Sequence, residues 1–169
     1  INYGENVGHS STSSGTVGAA LEGAALVIPA LAVSLQITDG NYLGYSADVP
    51  FEVAAHFARL FAQRVLEGGL PPDVHVLKID VPAGATLQTP WRVVRQALQP
   101  YFVPRIQRSG ALSGPAQITY DIISGPGISP PGTDIYALAV ERVVAVTPLS
   151  LDMTSRVPLD QFDSFLRKE

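Results

Sequence analysis

Hydrophobic positions at helical spacing are clearest in the second quarter of the chain. Apolar residues recur every three or four positions there, and polar or charged side chains take the opposite face: Val53, Phe57, Leu60, Phe61 and Val65 against Glu52, His56, Arg59, Gln63 and Glu67. This spacing predicts an amphipathic helix with one face on the core. The pair Gly68-Gly69, followed by Pro71-Pro72, ends the helix.

Two apolar runs flank this helix and have the length of strands. Ala30 to Leu35 is apolar on both faces except at Ser34, and Val74 to Val81 ends at Pro82. Runs that are apolar on both faces are typical of a parallel sheet that helices cover on each side. The alternation of helix and strand therefore predicts an α/β fold, with right-handed crossovers onto a mostly parallel sheet.

A small-residue helix precedes the first of these strands. Thr16 to Leu26 is rich in Ala, Ser14 or Gly15 can begin the helix, and Pro29 ends it. The polar residues from Thr38 to Ser46 include Gly and predict a surface loop before the amphipathic helix.

The pattern changes after Trp91. Three stretches look extended, and Ser-Gly punctuation between the last two predicts a hairpin: Arg92 to Gln96, Tyr101 to Ile106 and Gln117 to Ile123. Ser124 to Asp134 is too rich in Gly and Pro for regular structure. A strand over Val143 to Leu149 and a short helix over Asp160 to Lys168 follow. We expect that helix to turn its apolar residues inward: Leu159, Phe162 and Leu166.

Composition narrows the classes of function. The 169 residues are 46% hydrophobic and 15% charged, as suits one globular domain, and the formal net charge of -4 with scattered basic residues argues against a nucleic-acid partner. Without cysteine there is no disulfide and no thiolate metal site. No apolar stretch approaches the roughly 20 residues of a membrane span, and no signal sequence is recognisable. We therefore expect a cytoplasmic protein with no membrane partner.

A polar segment opens the chain. Asn2, Gly4, Asn6 and Gly8 alternate as Asn-x-Gly-x-Asn-x-Gly. Glycine permits left-handed backbone angles, and asparagine amide oxygens are suitable ligands for a hard cation. A tight turn that binds nothing would use the same residues, so both interpretations stay open.

The step Ser14-Gly15-Thr16 stands at the predicted start of the small-residue helix. Its hydroxyls and unpaired N–H groups would lie at the positive end of the helix dipole, which is the physical basis of phosphate binding at helix starts. Ordinary helix capping is the alternative. Ser14, Gly15 and Thr16, together with Asn6, are our candidate phosphate-binding residues.

Other residues with suitable chemistry are weaker candidates. His9, His56 and His75 are too scattered for metal-ligand spacing, and we expect His56 and His75 to be solvated or hydrogen-bonded. His9 belongs to the same loop as the candidate site.

Three aspartates and the tryptophan also have side chains suited either to a site or to a structural role. Asp121, Asp134 and Asp152 could form a carboxylate set, but aspartate at turns and caps is commoner. Asp134 is the best of them, with a helix N-cap role for it or for Thr133 as the alternative. We expect Trp91, like the phenylalanines of the amphipathic helix, to lie in the core.

Several of these stretches, in this order and spacing, resemble the SurE family of metal-dependent nucleotidases, also called stationary-phase survival proteins. The resemblance covers nearly the whole chain and rests on INYGENVG, SGTVGAALEG, PALAVSL, KIDVP, WRVVRQ and GTDIYALAVERVVAVTPLSLDMT. It implies hydrolysis of phosphate monoesters, notably nucleoside monophosphates, with a divalent metal such as Mg²⁺ or Mn²⁺. It also implies that Asn2 is a metal ligand and that Ser14, Gly15 and Thr16 bind the anion.

The fold that the resemblance implies is α/β and SurE-like. A Rossmann-like, mostly parallel sheet forms the core, and a β-hairpin and helix extend it at the C-terminal end. Residues 1–98 would be the C-terminal portion of that core, and residues 99–169 the hairpin, the Gly/Pro loop and a strand-helix arm of the same domain. Such arms exchange between subunits in the family, so we expect a homodimer or homotetramer.

The sequence also departs from the family pattern. The family's other metal ligands are two aspartates of an Asn-Asp-Asp-Gly motif and a serine of a later loop, and this sequence has no such motif. We therefore expect a family member without its first part, whose catalytic residues stay unassigned and which does not turn over nucleotide by itself. The alternative is a non-catalytic SurE-like fragment that acts as a phosphate-binding or oligomerisation module.

Overall fold

The computed structural model describes residues 1–38, 49–108, 110, 112 and 114–167. Five strands form the main sheet and two more form a separate hairpin. The sheet strands are β1 (Asn2–Tyr3), β2 (Ala30–Leu35), β3 (Val76–Val81), β4 (Trp91–Val93) and β7 (Val144–Leu149), and the hairpin strands are β5 (Phe102–Arg108) and β6 (Ala116–Ile122).

Four α-helical segments connect or follow these strands. They are α1 (Gly15–Ala25), α2 (Phe51–Gly68), the single turn α3 (Asp134–Tyr136) and α4 (Leu159–Leu166). A 3-10 helix over Gly8–Ser13 precedes α1, and a π-helical turn over Ala137–Glu141 continues α3. Within the described ranges, no helix is both long and apolar enough to cross a bilayer.

The main sheet has the order β1-β2-β3-β7-β4. The pairs β1–β2, β2–β3 and β4–β7 are parallel, and β3–β7 is antiparallel. Ala30 lies beside Val76 and Leu35 beside Val81, so β2 and β3 end level at the same edge of the sheet. The predicted α/β fold with a mostly parallel sheet is confirmed.

Helices α1 and α2 cover opposite faces of this sheet. Phe57 and Phe61 of α2 pack with Ile79 of β3, while Val17 of α1 packs with Val76 of β3. Because residues 76 and 79 are separated by an odd number of positions, their side chains point to opposite faces. This two-sided cover explains why β2 and β3 are apolar on both faces.

Most sequence predictions of helices and strands agree with the structure to within a few residues. The hairpin, the irregular stretch before Asp134 and the C-terminal strand and helix are all present. The predicted surface loop from Thr38 to Ser46 lies outside the described residues except for Thr38. The division at residue 98 stays a prediction, and β7 from the second part pairs inside the core sheet.

Two predictions about burial are wrong. Trp91 is 40% exposed, because its strand lies at the sheet edge, where the ring packs on Phe61 and under the guanidinium of Arg64. The apolar side chains of α4 are also exposed rather than inward, with Phe162 at 46% and Leu166 at 65%. The residues that α4 would pack against are not supplied by the rest of the described chain.

The hairpin carries a further exposed apolar surface. Its strands pair Phe102 with Ile122 and Ile106 with Ile118, so alternate apolar residues share one face. Ile106, Ile118 and Tyr120 are more than half exposed. The hairpin therefore extends away from the core without burying its apolar face.

Candidate functional site

Polar side chains interrupt the α1-covered face of the sheet near the carboxyl ends of β2 and β3. Ser34, Lys78 and Asp80 are all fully buried there. Ser34 pairs with Asp80 in the parallel register, and Lys78 precedes Asp80 by two positions on the same face. Because buried polar groups need partners, this part of the sheet must be matched by groups from elsewhere in the chain.

The loop after β1 supplies several of these partners. The backbone N–H of Gly4 donates to the Leu35 carbonyl oxygen over 2.9 Å, which continues the parallel pairing. The backbone N–H of Asn6 donates to Asp80 Oδ1 over 2.8 Å. The side-chain amide of Asn6 donates to Ser34 Oγ, also over 2.8 Å. The loop is thus fastened across the ends of two neighbouring strands.

A second carboxylate fastens the loop two residues further on. The backbone N–H of Gly8 donates to Asp134 Oδ2 over 3.0 Å, and the other oxygen of Asp134 accepts the N–H groups of Ala97 and Ile135. Thr133 is the N-cap of α3, since its hydroxyl accepts the N–H of Tyr136. The cap role therefore belongs to Thr133, and Asp134 has a different role.

Lys78 joins the two carboxylates. Its Nζ lies 2.6 Å from Asp80 Oδ2 and 3.0 Å from Asp134 Oδ2, and all three side chains are 0% exposed. Burial by itself lowers the pKa of Lys78, but the attraction of Asp80 and Asp134 and their hydrogen bonds outweigh burial, so the pKa is raised. The three residues form a buried ion cluster with two negative charges and one positive charge.

Sequence reasoning missed two of the three members of this cluster. Asp134 was a candidate, whereas Lys78 and Asp80 were read only as part of a buried strand. The available signal was the strand KID itself, because two charged residues on one face of an otherwise apolar central strand must be paired.

A cleft of about 1310 Å³ opens beside the loop. One wall is formed by β1, the following loop and the 3-10 helix, and the other by the hairpin. Its lining includes Asn2, Asn6, His9, Thr12 and Ser13 from the first wall, and Phe102, Ile118 and Tyr120 from the second. The cleft therefore combines a polar wall with a partly aromatic one.

Two candidate residues, Asn2 and Asn6, line this cleft with side-chain amides. Asn2 donates through Nδ2 to the Gly4 carbonyl over 2.5 Å, and Asn6 donates through Nδ2 to Ser34. Within the described part of the chain, no hydrogen bond is accepted by the amide Oδ1 of either residue. His9 is exposed at the same cleft, as its position in the loop suggested.

The Ser-Gly-Thr step begins α1, as predicted. Ser14 is the N-cap, and its hydroxyl accepts the N–H of Val17 over 3.2 Å. The N–H groups of Gly15 and Thr16 have no partner in residues 1–38 or in the other described ranges. The three residues follow directly on Ser13, the last cleft residue of the 3-10 helix, but do not themselves line the cleft.

The weaker candidates lie apart from this site. His75 accepts the N–H of Leu151 through Nδ1, as expected of a hydrogen-bonded histidine, and the half-buried His56 contacts the ring of Phe57. Asp152 accepts the N–H of Thr154 in a turn, and hydrogen bonds from the side chain and the backbone of Thr154 lower the pKa of Asp152.

The three aspartates do not form a carboxylate set. Asp121 pairs with Arg105 on the hairpin and Asp134 belongs to the buried cluster. No group of three or more His, Asp or Glu side chains suited to a metal occurs among the described residues.

The donor set can therefore meet only part of what a divalent cation needs. Amide oxygens such as those of Asn2 and Asn6 are acceptable ligands for Mg²⁺ or Mn²⁺, but such ions prefer carboxylates. Of the carboxylates at the loop, Asp80 and Asp134 are fully buried and bonded to Lys78, and Glu5 lines the cleft but is buried and accepts the N–H of Ile37. The described residues alone do not fit a complete divalent metal site.

Comparison with known proteins identifies the family. The family model described as Survival protein SurE matches residues 1–102, more than half of the 169 residues. The chain belongs to the SurE family. The SurE match includes the loop after β1, the start of α1 and the whole of β2, β3 and β4, so it covers the polar wall of the cleft.

Named SurE relatives extend the match over nearly the whole chain. The 5'-nucleotidase SurE of Thermococcus gammatolerans is 41% identical over 168 residues, covering 98% of this chain and 62% of the relative. That of Thermococcus kodakarensis is 39% identical over 163 residues, covering 95% and 61%. The chain thus spans about three-fifths of the length of these curated relatives.

A solved SurE structure has the same fold. The crystal structure of the SurE protein from Aquifex aeolicus matches with a TM-score of 0.74 and 27% identity, covering 98% of this chain and 63% of that chain. The resemblance drawn from the sequence motifs is therefore confirmed for the family and for the fold.

Proposed function

We propose that this SurE protein hydrolyses phosphate monoesters, and that its substrates are nucleoside monophosphates. The observation that carries the proposal is the polar segment of β1 and the following loop, which is held over the ends of β2 and β3 and lines a cleft of about 1310 Å³ with the side chains of Asn2 and Asn6. Family membership and the name 5'-nucleotidase of the relatives support the same activity.

The start of α1 is the proposed phosphate-binding element. Among the residues that the structure describes, the N–H groups of Gly15 and Thr16 have no partner; they lie at the positive end of a helix of 11 residues, and the Thr16 hydroxyl is next to them. Such groups would bear the charge on the phosphoryl oxygens. The proposal requires the phosphate to reach from the cleft to the end of the 3-10 helix, next to Ser14.

A divalent cation, Mg²⁺ or Mn²⁺, is part of the proposal. When bound, such an ion polarises the phosphoryl group and orients water. Asn2 would contribute one amide ligand through Oδ1. Because the described donors do not make a complete site, the family's two aspartates and serine are the proposed source of the remaining ligands.

The remaining contributions come from this chain's own residues. Asn6, whose backbone is held by Asp80, lines the cleft with its side-chain amide. Thr12 and Ser13 line the cleft between the loop and the start of α1. The aromatic wall of the hairpin, with Phe102 and Tyr120, would cover the organic part of the substrate. We also propose a cytoplasmic location for the protein.

One specific observation favours a second candidate, a non-catalytic binding or assembly module. The apolar faces of the hairpin and of α4 are exposed, with Ile106 at 64% and Phe165 at 64%. Such surfaces mark interaction sites. In this case the chain would bind phosphate and associate without turning over nucleotide.

Hydrolysis assays separate the two candidates. We expect the 169-residue chain alone, with Mn²⁺ or Mg²⁺ and a nucleoside monophosphate, to release no phosphate. Adding the part of the Thermococcus gammatolerans relative outside the matched region should restore hydrolysis. Asn2→Ala should abolish the restored activity, whereas Gln88→Ala, which removes an exposed amide outside the cleft lining, should retain it.

Two other outcomes of these assays would favour a different function or a different set of ligands. Phosphate binding without hydrolysis in every mixture would favour the module. Metal-dependent hydrolysis by the chain alone, lost in Asn2→Ala, would show that the missing aspartates are not required and that a carboxylate of this chain had replaced them.

A further inference from the structure

Three buried charges lie beneath the loop that forms the polar wall of the cleft. Lys78, Asp80 and Asp134 are 0% exposed, and none of them lines the cleft. They come from two parts of the chain, β3 and the start of α3, which are 56 residues apart at Lys78 and Asp134. The proposed reaction uses none of the three directly, so their burial needs another explanation.

Each carboxylate accepts one hydrogen bond from Lys78 and one from the loop. Asp80 accepts Lys78 Nζ through Oδ2 and the Asn6 N–H through Oδ1. Asp134 accepts both Lys78 Nζ and the Gly8 N–H through Oδ2. The cluster therefore contacts the loop at alternate residues, Asn6 and Gly8, on either side of the fully buried Val7.

The positions of these contacts define the geometry of the cleft wall. Asn6 presents its side chain at the cleft, and Gly8 begins the 3-10 helix that leads to Ser14 and α1. A shift of Asp80 would move Asn6, and a shift of Asp134 would move the start of the 3-10 helix. Because Lys78 is bonded to both, a single side chain sets the distance between the two attachment points.

We propose that Asp80 and Asp134, joined by Lys78, are positioning residues that fix the loop between β1 and α1. The geometric part of this proposal, that the cluster fixes the position of the loop, depends only on the hydrogen bonds. The expected effect on phosphate affinity rests on the proposed function. A buried ion cluster is costly to assemble, and its proposed use here is to specify one position of the loop.

The geometric part is tested by nuclear magnetic resonance on the unaltered 169-residue chain. Scalar coupling across the hydrogen bond should connect the Asn6 amide nitrogen with the Asp80 carboxyl carbon, and the Gly8 amide with that of Asp134. Protection of the β2 amides from exchange shows that the unaltered chain is folded. If both couplings are absent in such a folded chain, the proposal is overturned.

Asp80→Asn tests whether the position of Asn6 depends on the Asp80 carboxylate. We expect the Asn6 amide signal to move and its exchange with solvent to quicken at least tenfold, while the amide of Val33 in β2 keeps its protection. Asp163→Asn makes the same chemical change in the exposed pair with Arg167, outside the cleft lining, and should leave the Asn6 signal in place.

Ligand affinity is the second measurement, with inorganic phosphate as the probe. We expect the dissociation constant for phosphate to rise at least tenfold in Asp80→Asn and to stay unchanged in Asp163→Asn. A moved Asn6 amide with unchanged phosphate affinity would overturn the positioning role and leave a purely structural one. If even the unaltered chain binds no phosphate, the proposed phosphate site fails, while the amide measurements still decide the geometric part.

Discussion

Lys78 in the centre of the sheet and Asp134 at the start of α3 form a fully buried ion pair with 3.0 Å between Nζ and Oδ2. The pair joins β3 to a turn that follows the hairpin and the Gly/Pro-rich stretch, so a long-range contact fixes where the chain re-enters the core. Asp134 also accepts backbone N–H groups from Gly8 and Ala97. Four separate segments of the chain therefore meet at this one carboxylate and its lysine.

Loss of stability at high pH is the first prediction. Attraction to Asp80 and Asp134 raises the pKa of Lys78 in spite of its burial, and burial followed by the charge of Glu5 raises that of Tyr101. A raised pKa contributes stability that is fully present below the unfolded value and is lost as the pH rises through the folded value. We expect the free energy of unfolding to fall above about pH 10, the region of the unfolded values of both groups.

Urea unfolding from about pH 8 to about pH 11.5 checks this dependence. Tyr101→Phe removes one of the two groups and should make the decline shallower above about pH 10. A free energy of unfolding that stays level over the whole range would contradict the prediction for both groups.

Gly8 is the position where the second prediction applies. Its φ is +64°, and an added Cβ would lie 2.7 Å from the Gln99 carbonyl oxygen and 2.8 Å from Cδ1 of Ile135. We expect Gly8→Ala to lower the free energy of unfolding by about 1–3 kcal/mol. Gly18→Ala is the matched control, because that glycine lies in α1 with nothing within 4 Å. The control should be neutral or stabilising, and equal losses in the two variants would refute the steric argument.

Elements with a strong local pattern could be predicted from the sequence. The apolar stripe of α2 and the apolar runs of β2 and β3 mark elements whose packing surfaces are continuous in sequence. Burial was wrong at Trp91 and at Phe162 because burial depends on the neighbours that the fold supplies, and each lies where the described chain supplies few of them. A hydrophobic side chain alone does not indicate whether its neighbours belong to the same chain.

In the candidate site, too, the sequence predicted the features that are local and missed those formed by distant residues. Local chemistry identified Ser14 as a helix start, and it is the N-cap of α1, whereas Asn2, predicted in a polar loop, lies in strand β1 at the cleft. The cluster around Lys78 was not predicted, because its partners are 2 and 56 residues away and only the folded sheet brings them together. Charged residues in a central strand were the one local sign of it.

Phosphate binding at the start of α1 is the third prediction. Thr16→Val keeps the shape of the side chain but removes its hydroxyl, and we expect phosphate binding to weaken by about 1–3 kcal/mol if a charge-assisted bond is lost. Calorimetry with inorganic phosphate measures the change. Thr38→Val, at an exposed threonine outside the cleft lining, should bind phosphate normally. Unchanged binding in Thr16→Val at equal thermal stability would leave helix capping as the only role of this step.

Self-association is the last prediction, and α4 is the element that carries it. One side of this helix exposes Phe162 and Phe165, whose rings stack at 6.0 Å, beside the exposed Leu166. Burying such side chains against a second copy is favourable by about 25 cal/mol per Å² of apolar area, and exchange of a terminal helix is a common way to do so. We expect light scattering at micromolar concentration to show at least a dimer. Phe162→Ser together with Phe165→Ser should shift the mass toward the monomer, whereas Gln161→Ser in the same helix should not. A stable monomer before any substitution would contradict the prediction.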